Sequence, residues 1–276
     1  MDISVIIVSY NTSELTRNCL KSVYDKTKDV DFEVIVIDNN SDDDSVKMIE
    51  TEFPEVKIIA NKQNLGFGKA NNQGIELSEA KYVFLLNSDT LLLNNAIKIL
   101  YDFMEKEENY NVACCGGALY NNDLSNQISY GRFPTIKSLL YYYSLAKIYP
   151  ETYKDKYFMA GILKDDNQID VDYVTGADML IRKSVLDKTG YFDKDFFLYF
   201  EETELCSRFI KSGYKNMIYP NAKIIHLCGQ SPLNERKEAI FNKSMYLYMK
   251  KHRGKFYTLI YKSLAVLFKR ISSIFK

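Results

Sequence analysis

Apolar residues along the first hundred positions follow two alternating rhythms. Unbroken short runs rich in β-branched residues, ISVIIV (3–8), EVIVI (33–37), VKIIA (56–60) and YVFLL (82–86), read as strands buried on both faces. Between them apolar residues recur at helical spacing. Leu15, Cys19, Leu20 and Val23 share one helical face; Val46, Ile49 and Phe53 share another, which Pro54 closes; a third pattern runs through Leu100 and Met104. Four strands alternating with helices predict an α/β fold with a mostly parallel, doubly wound sheet.

In such sheets ligands bind beyond the carboxyl ends of the strands. The residues expected there are Ser9, Tyr10 and Asn11; Asp38, Asn39 and Asn40; positions 61–68; and Asn87, Ser88 and Asp89. Past residue 112 the alternation fades. NVACCGGAL (111–119) and QISYGRF (127–133) read as strands, 135–170 is Tyr-rich and unassigned, and 171–190 suggests a strand, a glycine turn, a strand and a helix. Neither a Gly/Pro/Ser-rich linker nor a fixed-period repeat interrupts the chain. The expected organisation is one domain over 1–231, with halves at 1–111 and 112–231, and a helical basic tail over 232–276.

Several stretches carry two readings. In FFLYFEETELC (196–206), Glu201, Glu202 and Glu204 crowd against aromatic residues. They suit the first turn of a helix, with Glu204 pairing Arg208 four residues on, or a site where apolar surroundings raise a carboxyl pKa. Asp89 either caps the next helix, a role Thr90 can share, or holds a divalent cation together with phosphate oxygens. His226 closes the run AKIIH as a structural residue or a ligand, whereas His252, within KKHRGK, reads as solvated. GFGKANNQG (66–74) lacks the third glycine of a dinucleotide fingerprint, since Asn71 stands there, but its flexible loop can bring backbone N–H groups to a ligand.

Composition narrows the class. The 276 residues are 46% hydrophobic and 26% charged, which is ordinary for a globular chain. The zero net charge hides an asymmetry: no Asp or Glu follows Glu238, while nine Lys and Arg fall between Lys243 and Lys276. That argues against a nucleic-acid-binding body and for an anionic surface met at the C-terminus. Over 255–276, Phe256, Leu259, Ile260, Leu264, Leu267, Phe268, Ile271 and Phe275 form one apolar helical face, and Lys255, Lys262, Lys269 and Lys276 recur on another. This amphipathic helix fits a membrane surface or, alternatively, a docking or homodimer contact. Five cysteines without a C-x-x-C pair read as reduced core residues in the cytosol. The N-terminus lacks a signal-peptide pattern, and no apolar run is long enough to span a bilayer.

Taken in order, VIIVSYN, VIVIDNNS, NLGFGKANNQGI, FLLNSD, VTGADMLIRK, GYFDKDFFLYFEETELCSR and YPNAKIIHLCGQS resemble the family 2 glycosyltransferases of the GT-A fold, in particular the rhamnosyltransferase-like branch of bacterial polysaccharide synthesis. The resemblance covers about residues 3–231. It implies inverting transfer of a sugar from a dTDP- or UDP-linked donor to a glycan or polyprenyl-linked acceptor, with Mg²⁺ or Mn²⁺ on the diphosphate. It further implies a cytoplasmic enzyme on the inner face of the membrane. By position, Asp38 would bind the pyrimidine, walled by Ser9, Tyr10 and Asn11, with Asn40, Gly66, Asn72 and Ser88 around the nucleotide. Asp89 and His226 would hold the metal; Asn87 stands at the first position of that motif, usually Asp-x-Asp or Asn-Pro-Asp in the family, as a neutral ligand at best. Gly176, Ala177 and Asp178 would lie by the donor sugar, Glu202 would be the base and Glu201 its positioning neighbour. Glu202 stands where the family commonly has Asp, and Glu204 replaces its second Asp. Two other readings are a sugar nucleotidyltransferase, whose Gly-rich, Arg-containing N-terminal loop is missing, and a non-catalytic nucleotide-sugar-binding subunit.

Overall fold

The computed structural model describes residues 1–141, 161–163, 165–227 and 235–274. Cys228, the Gly-Gln-Ser after it, most of the Tyr-rich region, Phe275 and Lys276 lie outside the described residues.

The expected strands form as β1 (Ile3–Ser9), β2 (Phe32–Asp38), β3 (Lys57–Ala60) and β4 (Tyr82–Asn87), joined by α1 (Ser13–Lys26), α2 (Ser45–Glu52) and α3 (Phe67–Leu77). They pair in parallel in the order β3-β2-β1-β4, as helical crossovers require. A short strand β5 (Thr90–Leu92) follows β4, and α4 (Ala96–Glu105) starts only behind Asn95. Neither Asp89 nor Thr90 therefore caps that helix: the chain uses both in an excursion along the sheet edge.

The second half completes the sheet. β6 (Val112–Tyr120) and β7 (Ile128–Gly131) precede α5 (Ile136–Leu140), β8 (Gly161–Ile162), β9 (Ile169–Val171) and β10 (Tyr173–Val174). β11 (Asp178–Arg182), α6 (Lys183–Thr189), α7 (Glu201–Lys211) and the long β12 (Lys215–His226) follow. β11 enters antiparallel between β4 and β6, and β12 lies parallel to β6 and antiparallel to β5. The strand-turn-strand-helix expected over 171–190 is thus present.

Alternation along the strands feeds two cores. Ile3, Val5 and Ile7 of β1 face Cys19, Leu20 and Val23 of α1 and Ile97, Leu100 and Phe103 of α4. Ile6, with Ile35 and Ile37, faces Ala70 and Ile75 of α3 and Leu205 and Phe209 of α7. Burial on both faces is why the strand segments read as continuous apolar runs. Cys19, Cys114, Cys115 and Cys206 are buried free thiols within these cores.

A third cluster belongs to the C-terminal helices α8 (Glu235–Arg253) and α9 (Lys255–Ile274). Phe196 and Phe200 pack there with Met245, Tyr248, Met249 and Tyr261, so these rings seat α8. His252 is not solvated. Its side chain is 7% exposed, stacks on Tyr248 at 4.7 Å and bonds Glu204 (3.2 Å) and Ser207 (3.1 Å) on α7. The apolar positions of α9 divide. Tyr261 is buried and Leu264 packs against the cluster, whereas Phe256, Leu259, Ile260, Val266 and Leu267 stay exposed. Among the described residues, no helix is long and apolar enough to cross a membrane.

Candidate active site

The strand tips are tied to one another by short polar contacts. Asn11, in the left-handed region at φ 54°, donates its N–H to Ser41 Oγ (2.9 Å) and accepts from the Asp42 N–H through Oδ1 (2.8 Å), joining the tips of β1 and β2. Asn39 is 2% exposed and reaches the next loop: its Oδ1 accepts from Leu65 N–H (3.0 Å), and its amide bonds Asn64 (3.0 Å) and Gly66 O (3.3 Å). Thr12 and Ser88 hydroxyls meet at 3.2 Å between β1 and β4. Asn87 N–H donates to Ala177 O (3.0 Å), bringing the glycine turn before β11 against the tip of β4.

Asp38 lies at this junction, 2% exposed. Its Oδ2 accepts from Ser41 N–H (2.9 Å), while its Oδ1 is buried without a hydrogen-bond partner among the described residues. A buried carboxylate oxygen in that position is an acceptor awaiting a donor. Tyr10 is 47% exposed beside it, and Asn40 turns the backbone at φ 70°. Ser9, expected to wall a base pocket, is fully buried, its hydroxyl bonded to Thr12 (3.1 Å) and Thr16 (3.0 Å) within the fold.

Asp89 and His226 meet although they lie far apart in the chain: Oδ1 and Nε2 are 3.3 Å apart, and the Asn87 amide is 3.3 Å from the same nitrogen. Pairing of β12 with β5 sets His226 opposite Thr90, which brings this about. Both side chains are 16% exposed. Among the described residues no third His, Cys, Asp or Glu completes a metal-binding cluster. One carboxylate and one imidazole with the remaining positions open suit a divalent cation whose other ligands are phosphate oxygens and water.

Gly66 (φ 83°) connects the loop before α3 to the acidic turn. A Cβ there would collide with the Phe197 carbonyl, to which Phe67 N–H donates at 3.1 Å. Gly176 packs 3.5 Å from the Phe67 ring when given a Cβ, so the glycine turn closes over the same helix start. Two sequence-based expectations change here. Asn72 is 4% exposed and clamps both backbone groups of Phe192 at 2.9 Å, so it ties α3 to the acidic turn without reaching a ligand. Asp178 is fully buried beneath the turn, where its Oδ2 accepts from Gly117 N–H (2.6 Å) and its Oδ1 is unpartnered. Burial raises its carboxyl to about 8, against the Gly117 bond and His226.

The acidic turn is strained and asymmetric. Tyr199 and Phe200 are both left-handed, at φ 68° and 67°, immediately before α7. Phe200 is held by the Phe241 (5.1 Å) and Tyr248 (5.9 Å) rings. Glu201 is 3% exposed, with Oε2 unpartnered, and burial followed by the Glu202 charge raises its pKa well above the ordinary value. Glu202 keeps partial exposure. Burial raises it to about 7, against hydrogen bonds from the N–H groups of 202 and 203 and the Thr203 hydroxyl. Its charge also acts on Tyr173 of β10, just before the glycine turn. Glu204 goes the other way: burial raises it, but hydrogen bonds from His252 and Arg208 outweigh that and hold it below the usual range. The helix-start reading is therefore right for Glu204 and incomplete for the other two.

The strand-end pattern marked the place of Asn39 but not its task, and one contributor gave no sequence signal at all. Gln127 bonds the His226 ring from a hairpin 99 residues away.

The chain aligns over 90% of its length with the low-salt glycan biosynthesis hexosyltransferase Agl10 of Haloferax volcanii, at 25% identity and over 72% of that protein. It aligns over 80% with the N-acetylglucosaminyl-diphospho-decaprenol L-rhamnosyltransferase of Mycobacterium tuberculosis, at 24% identity and over 76% of that protein. In fold it superposes on GalNAc-T7 crystallised with UDP, GalNAc and Mn²⁺ (TM-score 0.66, 13% identity, 91% of this chain), spanning about half (48%) of that longer chain. It superposes also on the mannosyltransferase PcManGT of Pyrobaculum calidifontis with GDP-Man and Mn²⁺ (TM-score 0.62, 13% identity, 90% of this chain and 64% of that one). These glycosyltransferases share the GT-A fold expected from the motif order. The profile of glycosyl transferase family 2 matches residues 4–190, and the chain belongs to that family.

Proposed function

We propose that this glycosyltransferase inverts the anomeric centre as it transfers a sugar from a nucleoside diphosphate to a hydroxyl of a glycan or polyprenyl-linked acceptor in surface polysaccharide synthesis. dTDP-rhamnose is the first donor and UDP-hexoses the next. The observation that carries this reading is Glu202, a partly exposed carboxylate raised to about 7, on a turn hydrogen-bonded to the donor-side loop through Phe197 and Phe67.

The buried Oδ1 of Asp38 accepts an N–H of the nucleobase, with Tyr10 alongside. Asp89 and His226 hold Mg²⁺ or Mn²⁺, which when bound offsets charge growing on the departing diphosphate. Glu202 takes the proton of the attacking hydroxyl, and a pKa near neutrality suits a base that must be ionised yet still basic. Glu201, whose pKa burial and the Glu202 charge raise, sits beside the base at the start of α7.

The test is turnover with dTDP-rhamnose and a panel of UDP- and GDP-sugars, using Mg²⁺ or Mn²⁺ and a polyprenyl-diphosphate-linked acceptor. Transfer with inverted anomeric configuration is expected. Folded protein that neither transfers nor hydrolyses any of these donors would refute the reading.

A further inference from the structure

Behind His226 stands Gln127, at the end of the hairpin loop between β6 and β7. Its side-chain amide is engaged at both ends: Nε2 lies 2.8 Å from Asn121 Oδ1 and 2.8 Å from the backbone carbonyl of His226, and Oε1 lies 2.8 Å from His226 Nδ1.

The orientation of an amide is usually an assignment, but here it follows from chemistry. A backbone carbonyl only accepts hydrogen bonds, so the amide atom facing His226 O must be the nitrogen. The atom facing His226 Nδ1 is then the oxygen, which also only accepts. Nδ1 must therefore carry a proton, and in the neutral ring Nε2 presents its lone pair. The Asn87 amide, donating to Nε2 at 3.3 Å, is consistent with that tautomer. Toward Asp89, 3.3 Å away, this tautomer turns an acceptor nitrogen to a carboxylate oxygen, a pair that a metal ion between them would join.

We infer that Gln127 is a positioning residue that fixes His226 in the Nδ1–H tautomer and so directs Nε2 at the metal held with Asp89. The inference rests on the metal reading of Asp89 and His226 given above. Asn121 acts one step further out, since its Oδ1 keeps the Gln127 amide from turning over. Groups of this kind behind a metal-bound histidine typically change affinity about 10–100-fold when removed.

The chain has only two histidines, so ring nitrogens can be assigned in the whole protein by ¹⁵N–¹H NMR. In metal-free protein with the ring neutral, His226 should show a protonated Nδ1 and an unprotonated Nε2. Gln127→Leu should lose that preference and weaken Mn²⁺ binding, measured by calorimetry in the presence of UDP, at least tenfold. An unchanged His252 signal and melting curve show that each variant is folded; if Gln127→Leu does not fold, Asn121→Ala takes its place with the same expectations.

A His226 ring carrying its proton on Nε2 in the unmodified protein would overturn the inference without any metal present. So would a folded Gln127→Leu that binds Mn²⁺ as the unmodified protein does. Should the unmodified protein itself fail to bind Mn²⁺ with UDP, the metal reading falls and the positioning role with it. The tautomer measurement tells these failures apart.

Discussion

Three glutamates within four positions end in three electrostatic states. Arg208 and His252 hold the Glu204 carboxyl low, burial and the Glu202 charge raise Glu201 well above its ordinary value, and burial raises Glu202 to about 7. A base with that pKa gives a definite pH signature. Its reactive form is the carboxylate, so kcat/KM should rise with pH and level off above about 7, the limb belonging to the Glu201–Glu202 pair and not to either residue alone. Glu202→Gln should lower kcat by about a hundredfold or more and erase that limb, while donor binding measured by calorimetry stays unchanged. Loss of donor binding in proportion to rate would instead place Glu202 in the donor site. The crowding of acids was visible in the sequence; their division into roles was not, because it depends on partners in α8.

At the scale of elements, α7 matters because of what it fastens. Arg208 donates from Nε to both oxygens of Glu204 at 3.0 Å, and its remaining nitrogens reach the carbonyls of Thr189, Gly190 and Tyr191. One side chain thus ties the end of α6 to the helix carrying Glu201 and Glu202. Arg208→Ala leaves the 5% exposed Glu204 with His252 as its remaining partner and frees three carbonyls that Arg208 satisfied, and should cost about 3 kcal/mol in denaturant unfolding. Because folding holds the Glu204 carboxyl low, the pair stabilises above its unfolded pKa, and that contribution fades as pH falls through the lower folded value. The stability gap between Arg208→Ala and the unmodified protein should shrink in acid. Gly66→Ala should cost about 1–3 kcal/mol for its backbone conformation and, in addition, push the acidic turn from α3, cutting kcat more than it lowers the melting temperature. A variant equally active per folded molecule would show that the turn need not touch the loop.

For the whole molecule, the C-terminal helices answer two demands at once. α8 is part of the fold: Ser244 Oγ donates to Leu198 O (2.8 Å), and Lys251 bridges Asp193 and Asp195 at 2.6 Å each, both on the segment leading to the acidic turn. α9 packs on α8 through Tyr261 and presents Phe256 (77% exposed), Leu259 (62%) and Leu267 (51%) away from it. With no acid after Glu238, this face suits an anionic bilayer, and we propose that it seats the enzyme where a polyprenyl-linked acceptor resides. The protein should sediment with phosphatidylglycerol vesicles at low salt and release at high salt. Replacing Phe256, Leu259 and Leu267 with Ser should weaken that binding more than tenfold, since each buried side chain contributes about 1.5–3 kcal/mol. Vesicle binding unaffected by the triple change, or a dimer that the same change dissociates, would redirect the face to another partner.

The order of strands and helices over the first hundred residues was legible because parallel strands buried on both faces leave continuous apolar runs, and their crossovers leave helical spacing. The positions of Asp38 and Asp89 at strand tips came with that pattern. Chemistry at those tips did not. Ser9, Asn72 and Asp178 carry groups fit to touch a ligand, yet packing turned each inward to hold the frame. Strand-end arguments locate a residue along the chain, whereas direction depends on which neighbours reach it. The pairing of His226 with Asp89, the Gln127 behind it and the seat of His252 on α7 all join residues scores of positions apart. Such contacts arise only when β12 lies against β5 and α8 closes over the acidic turn: local sequence sets which elements form, and long-range packing sets which side chains meet.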